Sequence, residues 1–192
     1  AIRDGFRSVI DYWPESHEAA KASLLIGKSY KAVGELKNAI KAYRSAVLNY
    51  PTHYISVLAK WDLADIYREM NDQASRVEAW KNLTYKTKRT KENSYYTTHA
   101  SCYLGQHHFY TGNFAEGLKS IETTYKGTSL IRKLYQYAND PISSLTGNTE
   151  KKVLGEKLAN EFIAFIEKQM PTDMKSKTGL VLTREYLYTI AD

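Results

Sequence analysis

The stretch from Ala20 to Pro51 constrains the fold of this chain more than any other stretch. Its small and aromatic residues recur at intervals of three and four, so they share one face of a helix. These residues are Ala22, Ile26, Gly27 and Tyr30 in the first half and Ala39, Tyr43 and Ala46 in the second. Gly34 allows a turn between the halves, and Pro51 cannot continue a helix. The stretch therefore predicts two helices, at about 16–33 and 36–49, with Ser16 as the N-cap of the first.

Weaker copies of the same pattern lie before and after this stretch. The residues that repeat its first helix are Ala59, Leu63, Ala64 and Tyr67 in one copy and Ala100, Leu104 and Gly105 in the next. Asn71-Asp72 and Gly112-Asn113 take the place of the Gly34 turn, because these residue types tolerate tight turns.

These copies divide the chain into units. We expect a half-repeat over 1–14, repeats over about 15–51, 52–91 and 92–127, and a C-terminal helical capping region over 128–192. Because the chain begins inside a repeat, we expect a processed protein or a fragment. In the capping region the pattern predicts helices over 129–138, 149–169 and 180–190, with loops over 139–148 and 171–179.

The best-formed unit resembles the tetratricopeptide repeat. The matching positions are Ile26, Gly27, Tyr30, Gly34, Ala39, Tyr43, Ala46 and Pro51. The resemblance implies an all-α chain, a right-handed α-solenoid of antiparallel helix hairpins with a C-terminal helical cap. It also implies a non-enzymatic scaffold that binds a protein or peptide partner.

A second resemblance lies at the joint between units, where Tyr12 and Trp13 precede Pro-Glu-Ser-His-Glu-Ala-Ala. Such joints are similar to those of bacterial envelope proteins, namely the outer-membrane assembly lipoproteins and the periplasmic cell-division coordinator. This resemblance favours a periplasmic or cell-envelope location and leaves a cytoplasmic one open.

In a stack of such hairpins the first helix of each unit lines a concave groove. The residues expected to face that groove are Lys21, Leu24, Lys28 and Lys31, then Leu58, Trp61, Asp65 and Arg68, then His99, Cys102, Gln106 and Phe109. Arg pairs well with carboxylates and Trp is a common interface anchor. Trp61, Lys28 and Arg68 are therefore the preferred contacts for an extended peptide with acidic and apolar groups.

Catalytic and metal-binding patterns do not stand out. The sequence has no Gly-rich phosphate loop, no Gly-x-Ser-x-Gly elbow and no His-Glu-x-x-His pair. His99 and Cys102 share a helix face, but two ligands alone hold zinc weakly. We therefore predict no catalytic residues, no metal, no cofactor and no small-molecule substrate.

Charge and composition are also compatible with partners other than a protein or peptide. The formal net charge is +6, and the one dense basic cluster is Lys86, Lys88, Arg89 and Lys91. This cluster supports binding to an anionic surface or nucleic acid, which we rank below the scaffold function. The repeat pattern is also compatible with self-assembly into a homo-oligomer and with service as an accessory domain of a larger protein.

A single cysteine excludes an intrachain disulfide, and no apolar run has the length of a membrane span.

Overall fold

The computed structural model describes residues 2–169, and over that range the protein is all-helical, which confirms the predicted all-α class. The helices within this range are α1 (Ile2–Tyr12), α2 (His17–Ala32), α3 (Leu36–Asn49), α4 (Tyr54–Glu69), α5 (Gln73–Lys81), α6 (Ser94–Tyr110), α7 (Phe114–Glu122), α8 (Gly127–Thr146) and α9 (Lys152–Gln169). A π-helical segment, Asn82–Lys86, continues α5. None of these helices is both long enough and apolar enough to cross a membrane.

The predicted helix pair is present at α2 and α3. Ser16 caps α2, since its hydroxyl accepts a hydrogen bond of 3.0 Å from the Ala19 N–H. Gly34 has φ +76°, a left-handed conformation that glycine adopts without strain. The same conformation occurs at the other two predicted turns, at Asn71 with φ +57° and at Gly112 with φ +71°. Turn chemistry thus ends each of these helices where the sequence pattern indicates.

The contact between α2 and α3 depends on one small and one large residue. The fully buried ring of Tyr43 lies directly against Gly27, where an added Cβ would be 2.5 Å from two ring carbons. Ala20, Ala39 and Ala46 are buried beside them. Because Gly27 has no side chain, its backbone leaves the space that the Tyr43 ring fills.

The described chain divides into two compact units, with the boundary between Ala100 and Ser101 inside α6. In the first unit each helix from α1 to α5 packs on the next, and α2 also contacts α4. The core of this unit is made by Ala20, Leu24, Ala39, Tyr43, Ala46, Ile55, Ala59, Leu63, Ile66 and Tyr67.

In the second unit α7 packs on α8 and α9, and α8 packs on α9. Its core is made by Phe109, Phe114, Ile121, Leu130, Ile131, Leu134, Ala138, Leu145, Leu158, Phe162 and Ile166. Gly117 lies against the ring of Phe109, which repeats the pairing of glycine with an aromatic ring seen in the first unit.

The predicted loop over 139–148 is wrong, because α8 continues through it to Thr146. Pro141 lies inside this helix and is buried. Leu134, Ala138 and Leu145 keep the helical spacing across the proline and join the core with α9. Burial of that apolar face outweighs the hydrogen bond that proline removes.

The predicted start of α9 at Thr149 is also corrected. Asn148 satisfies the free N–H groups here, since its Oδ1 accepts from Glu150 N at 3.0 Å and Lys151 N at 3.1 Å. The helix then begins at Lys152. The segments predicted over 171–179 and 180–190 lie outside the described residues.

Candidate functional site on helix α4

Helix α4 carries the residues that form the candidate site. Its side chains meet α2 on one side and the first turns of α6 on the other, and all of these contacts lie within the first unit. The ring of His53 precedes the helix and caps it, because its Nδ1 accepts from the Ile55 N–H at 3.2 Å. This cap fixes where the helix begins and therefore which residues face each neighbour.

The side facing α2 carries an ionic network. The Lys31 ammonium pairs with Asp65 and also lies 3.2 Å from a carboxylate oxygen of Glu69. Arg68 pairs with the other oxygen of Asp65. Burial acts to raise the pKa of Asp65, but hydrogen bonding and charge from Lys31, together with Arg68, outweigh it and lower that pKa. The structure thus brings together three predicted groove residues, Lys31, Asp65 and Arg68.

The side facing α6 carries an aromatic cluster, defined as Trp61, Tyr95, Tyr96 and His99. The Trp61 ring centroid lies 5.5 Å from that of Tyr96, 6.3 Å from that of Tyr95 and 6.4 Å from that of His99. The Nδ1–H of His99 donates to the Tyr95 carbonyl at 2.8 Å, which orients the imidazole. Tyr95 is 59% exposed, so the cluster is open to solvent.

Sequence reasoning identified Trp61 and His99 in this cluster but missed the two tyrosines. Tyr95 lies four residues before His99 and Tyr96 three residues before it, which are the intervals of one helix face. This spacing in the sequence could have identified both tyrosines as neighbours of His99 on one helix face.

A pocket of about 420 Å³ lies beside the ionic network, and we call it the Tyr43 pocket. Its lining residues are Lys28, Lys31, Ala32, Tyr43, Asp62 and Glu69. The Tyr43 hydroxyl and Asp62 Oδ2 are buried and face each other without the geometry of a full hydrogen bond. Burial raises the pKa of Asp62, and this effect exceeds the opposing influence of Lys28, the Tyr43 hydroxyl and Lys31. Burial, followed by the charge of Asp62, raises the pKa of Tyr43.

Three of the predicted groove positions are corrected by burial. Leu24 is buried in the first core, on the part of α2 that packs against its neighbouring helices. Cys102 is buried, and Phe109 is fully buried in the second core, with its ring 5.9 Å from that of Phe114. These three side chains do not offer an open binding surface, whereas Leu58 packs against the first core and stays partly exposed.

The remaining predicted groove residues differ in their exposure to solvent. Lys21 and Lys28 are exposed, whereas Gln106 is half-buried in the second unit. Lys28 makes no ion pair with the rest of residues 2–169, and its charge acts on Asp62. Lys28 therefore remains available at the rim of the Tyr43 pocket.

A pair of histidines, His17 and His53, lies at the start of α2 and α4. Their ring nitrogens Nδ1 and Nε2 are 2.6 Å apart. Because His53 Nδ1 accepts from Ile55, we infer that its Nε2 carries the proton and donates to His17. Burial, and then the charges of His17 and Lys21, lower the pKa of His53.

Two lysines of the predicted basic cluster line one cleft. Lys86 and Lys88 line a cleft of about 540 Å³ together with the half-buried Lys60. Buried Asn93 orders this loop, as its Nδ2–H donates to the Lys88 carbonyl and its Oδ1 accepts from Thr90 N, both at 2.9 Å. Burial lowers the pKa of Lys60.

Within the described range, no three His, Cys, Asp or Glu side chains converge as a metal site would require. Comparison of the chain with protein-family models, curated proteins and solved structures finds no match.

Proposed function

We propose that this chain is a non-enzymatic interaction module of the tetratricopeptide type, a right-handed α-solenoid of antiparallel helix hairpins. The matching residues from Ile26 to Pro51 support this proposal. The packing of each helix from α1 to α5 on the next, with an added contact between α2 and α4, is compatible with it. In this proposal the exposed side of α4 binds a peptide or protein segment.

The observation that carries the proposal is that α4 supplies residues to both the aromatic cluster and the ionic network. Trp61, Asp65 and Arg68 follow each other at intervals of four and three along α4. Trp, Tyr and Arg are the residues most enriched among interface residues that dominate binding energy. Here Trp61 is supported by three neighbouring rings and stays partly exposed.

The charges on this surface indicate the chemistry of the partner. The side chain of Arg68 is 59% exposed while it pairs with Asp65, so donors of its guanidinium remain open to a ligand. Lys28 is exposed as well. We therefore expect the partner to be an extended segment. Its aromatic or apolar side chain would contact the aromatic cluster, and its carboxylate would pair with Arg68 or Lys28.

A phage-displayed random peptide library tests the proposal. Selection on the wild-type chain should enrich peptides whose binding is at least about tenfold weaker to Trp61→Ala and to Arg68→Ala. Trp13→Ala is the matched control, since Trp13 is 62% exposed and lies outside α4. Peptides that bind all variants equally, or a selection with no enrichment, would contradict the assignment of this surface.

A second candidate function is binding of a polyanion at the cleft of Lys60, Lys86 and Lys88. Lys60 favours it, because this half-buried ammonium has no carboxylate partner within residues 2–169. Affinity for a DNA or RNA oligonucleotide should then fall steeply with salt and fall again in Lys60→Gln. Binding that is absent, or insensitive to salt, would remove this candidate.

A further inference from the structure

A pocket of about 350 Å³ lies between α3, α4 and α5 in the first unit, and we call it the α3–α5 pocket. This volume is at the low end of the range of about 300–1,000 Å³ that small-molecule sites occupy. The pocket combines apolar and basic side chains. Its lining residues are Val47, Leu48, Leu63, Tyr67 and Ala79, together with Arg44, Lys60, Ser75, Glu78 and Asn82.

The apolar part of the wall is both ordered and open to a ligand. Leu63 and Tyr67 are buried members of the first core, so their positions are fixed by packing. Leu48 also lines the pocket, but it is 77% exposed. A bound apolar group would remove part of this leucine from water, which favours binding.

Two basic side chains line the pocket without a carboxylate partner within residues 2–169. Lys60 is half-buried and makes no ion pair in this range, and burial lowers its pKa. Arg44 donates from Nη2 to the Tyr67 hydroxyl at 2.9 Å and also makes no ion pair there. Its guanidinium has further N–H donors. Positive charge at this pocket is therefore not neutralised locally.

The carboxylate in the lining, that of Glu78, is already engaged. Its Oε1 accepts from the Asn82 Nδ2–H at 3.0 Å and lies 3.5 Å from the Lys86 ammonium. Glu78 therefore offsets Lys86, which does not line the pocket, and not Lys60 or Arg44.

We propose that the α3–α5 pocket binds a small free carboxylic acid with an apolar body, such as a medium-chain fatty acid. The apolar body packs against Leu48 and Leu63, and the carboxylate pairs with Lys60, with Arg44 adding to the positive potential. An ammonium ligand would meet two like charges, and a neutral one would cover the Lys60 ammonium without pairing it. This inference goes beyond the proposed function, which places a peptide at Trp61 and does not involve this pocket.

Four small probes separate the ligand classes, namely octanoate, 1-octanol, octylammonium and butanoate. Each is titrated into the ¹⁵N-labelled full chain, and the backbone amide shifts of Leu48, Lys60 and Ala79 are followed. Octanoate should produce saturable shifts with a Kd at least about tenfold lower than that of octylammonium and about fivefold lower than that of 1-octanol. Butanoate lacks four methylenes and should bind at least about tenfold more weakly than octanoate. Equal or tighter binding of any of the other three probes would overturn the proposal.

Lys60→Gln tests the ion pair. It should weaken octanoate binding about tenfold and leave 1-octanol binding unchanged, because only the carboxylate uses the charge. Lys88→Gln is the matched control, since Lys88 lines the neighbouring cleft but not this pocket, and it should leave octanoate affinity unchanged. Octanoate affinity that is unchanged in Lys60→Gln, or that falls equally in both variants, would overturn the proposal.

Leu48→Ser tests the apolar contact at an exposed position where the fold should tolerate the change. It should weaken octanoate binding about threefold or more. Leu25→Ser is the control, because Leu25 is 41% exposed on α2 and does not line the pocket. Equal octanoate affinity in the two variants would overturn the proposal.

The outcome is separable from those of the peptide and oligonucleotide experiments. Peptides that depend on Trp61 concern a different surface, so either result there leaves the octanoate test decisive. Oligonucleotide binding at the cleft should weaken in both Lys60→Gln and Lys88→Gln, whereas octanoate binding should weaken only in Lys60→Gln.

Discussion

The ring of Tyr43 occupies the space that Gly27 leaves open, at a distance where a Cβ on residue 27 would be 2.5 Å from Cδ1 and Cε1 of the ring. The ring is fully buried between helices, so it has little room to shift. The contact joins α2 to α3 and holds Tyr43 beside Asp62 at the Tyr43 pocket.

Gly27→Ala should therefore lower the free energy of unfolding by about 1–3 kcal/mol, because overpacking exceeds the gain in helix propensity. Gly5→Ala is the control, since Gly5 lies in α1 with no atom within 4 Å of an added Cβ. That change should instead stabilise the protein by about 0.5–1 kcal/mol. Chemical denaturation measures both. If Gly27→Ala instead stabilised the protein, the Tyr43 ring would have more room to move than its full burial indicates.

The two buried tyrosines of the first core should respond differently to loss of the hydroxyl. Tyr67→Phe breaks the hydrogen bond from Arg44 and should cost about 1 kcal/mol of unfolding free energy. Tyr43→Phe removes a hydroxyl that faces the buried Asp62 carboxyl without the geometry of a full hydrogen bond, so it should cost less than Tyr67→Phe. Equilibrium unfolding in urea checks the difference. A cost for Tyr43→Phe as large as that for Tyr67→Phe would mean that its hydroxyl is already satisfied.

Local turn chemistry explains why much of the helical fold is predictable from the sequence. Gly34, Asn71 and Gly112 each adopt the positive φ that their residue types tolerate, and the helices end there. The same local preferences predict a loop at Asp140-Pro141, and that prediction is wrong. There the apolar spacing of Leu134, Ala138 and Leu145 extends the helix against α9, a tertiary effect that local preferences do not contain.

The site was predictable only in part, for a related reason. Helical spacing pointed to Asp65 and Arg68, which the structure joins in an ion pair, and to Trp61, which it places against the rings of α6. Spacing gives the direction of a side chain but not the number of helices that cover it, so Leu24 and Phe109 were wrongly expected to be open. The Tyr43 pocket was missed because the depth of a core tyrosine and its distance from Asp62 depend on packing between helices.

Asp62 and Asp65 should affect stability in opposite directions. The pKa of Asp62 is raised above 3.8 by burial, so its charge costs stability at pH 7, and this cost disappears below pH 3.8. The pKa of Asp65 is lowered, so its charge stabilises the fold above pH 3.8, and that gain is lost as the pH falls through the folded-state pKa.

At pH 7, Asp62→Asn should accordingly raise the free energy of unfolding. Asp65→Asn should lower it by about 0.5 kcal/mol, a small value because solvent screens this partly exposed ion pair. Both differences should shrink in denaturation at pH 3. Changes of the same sign at pH 7 would contradict the assigned environments of the two carboxylates.

The histidine pair should make stability depend on pH near neutrality. Burial, and the charges of His17 and Lys21, hold the pKa of His53 below 6.5. The unfolded chain therefore takes up a proton more readily than the folded one. Stability from this group is fully present above pH 6.5 and is lost as the pH falls toward the folded-state pKa. Protonation would also place a hydrogen on Nδ1 and end its hydrogen bond with the Ile55 N–H.

His53→Asn isolates this effect, because asparagine caps helices without titrating in this range. Thermal unfolding between pH 5 and pH 8 should show a smaller loss of Tm on acidification in the variant than in the wild type. Parallel curves for the two proteins would exclude His53 as the source of the dependence.

Binding at the aromatic cluster should be visible in the fluorescence of Trp61. A peptide that covers the cluster moves this partly exposed indole into a less polar setting, so its emission should shift to the blue and its quenching by iodide should fall. In Trp13→Phe the signal should persist, because Trp13 lies outside α4 and the third indole, Trp80, is buried. In Trp61→Phe it should vanish even if some affinity remains. A blue shift that survives Trp61→Phe and is lost in Trp13→Phe would place the peptide at the joint before α2 instead of at α4.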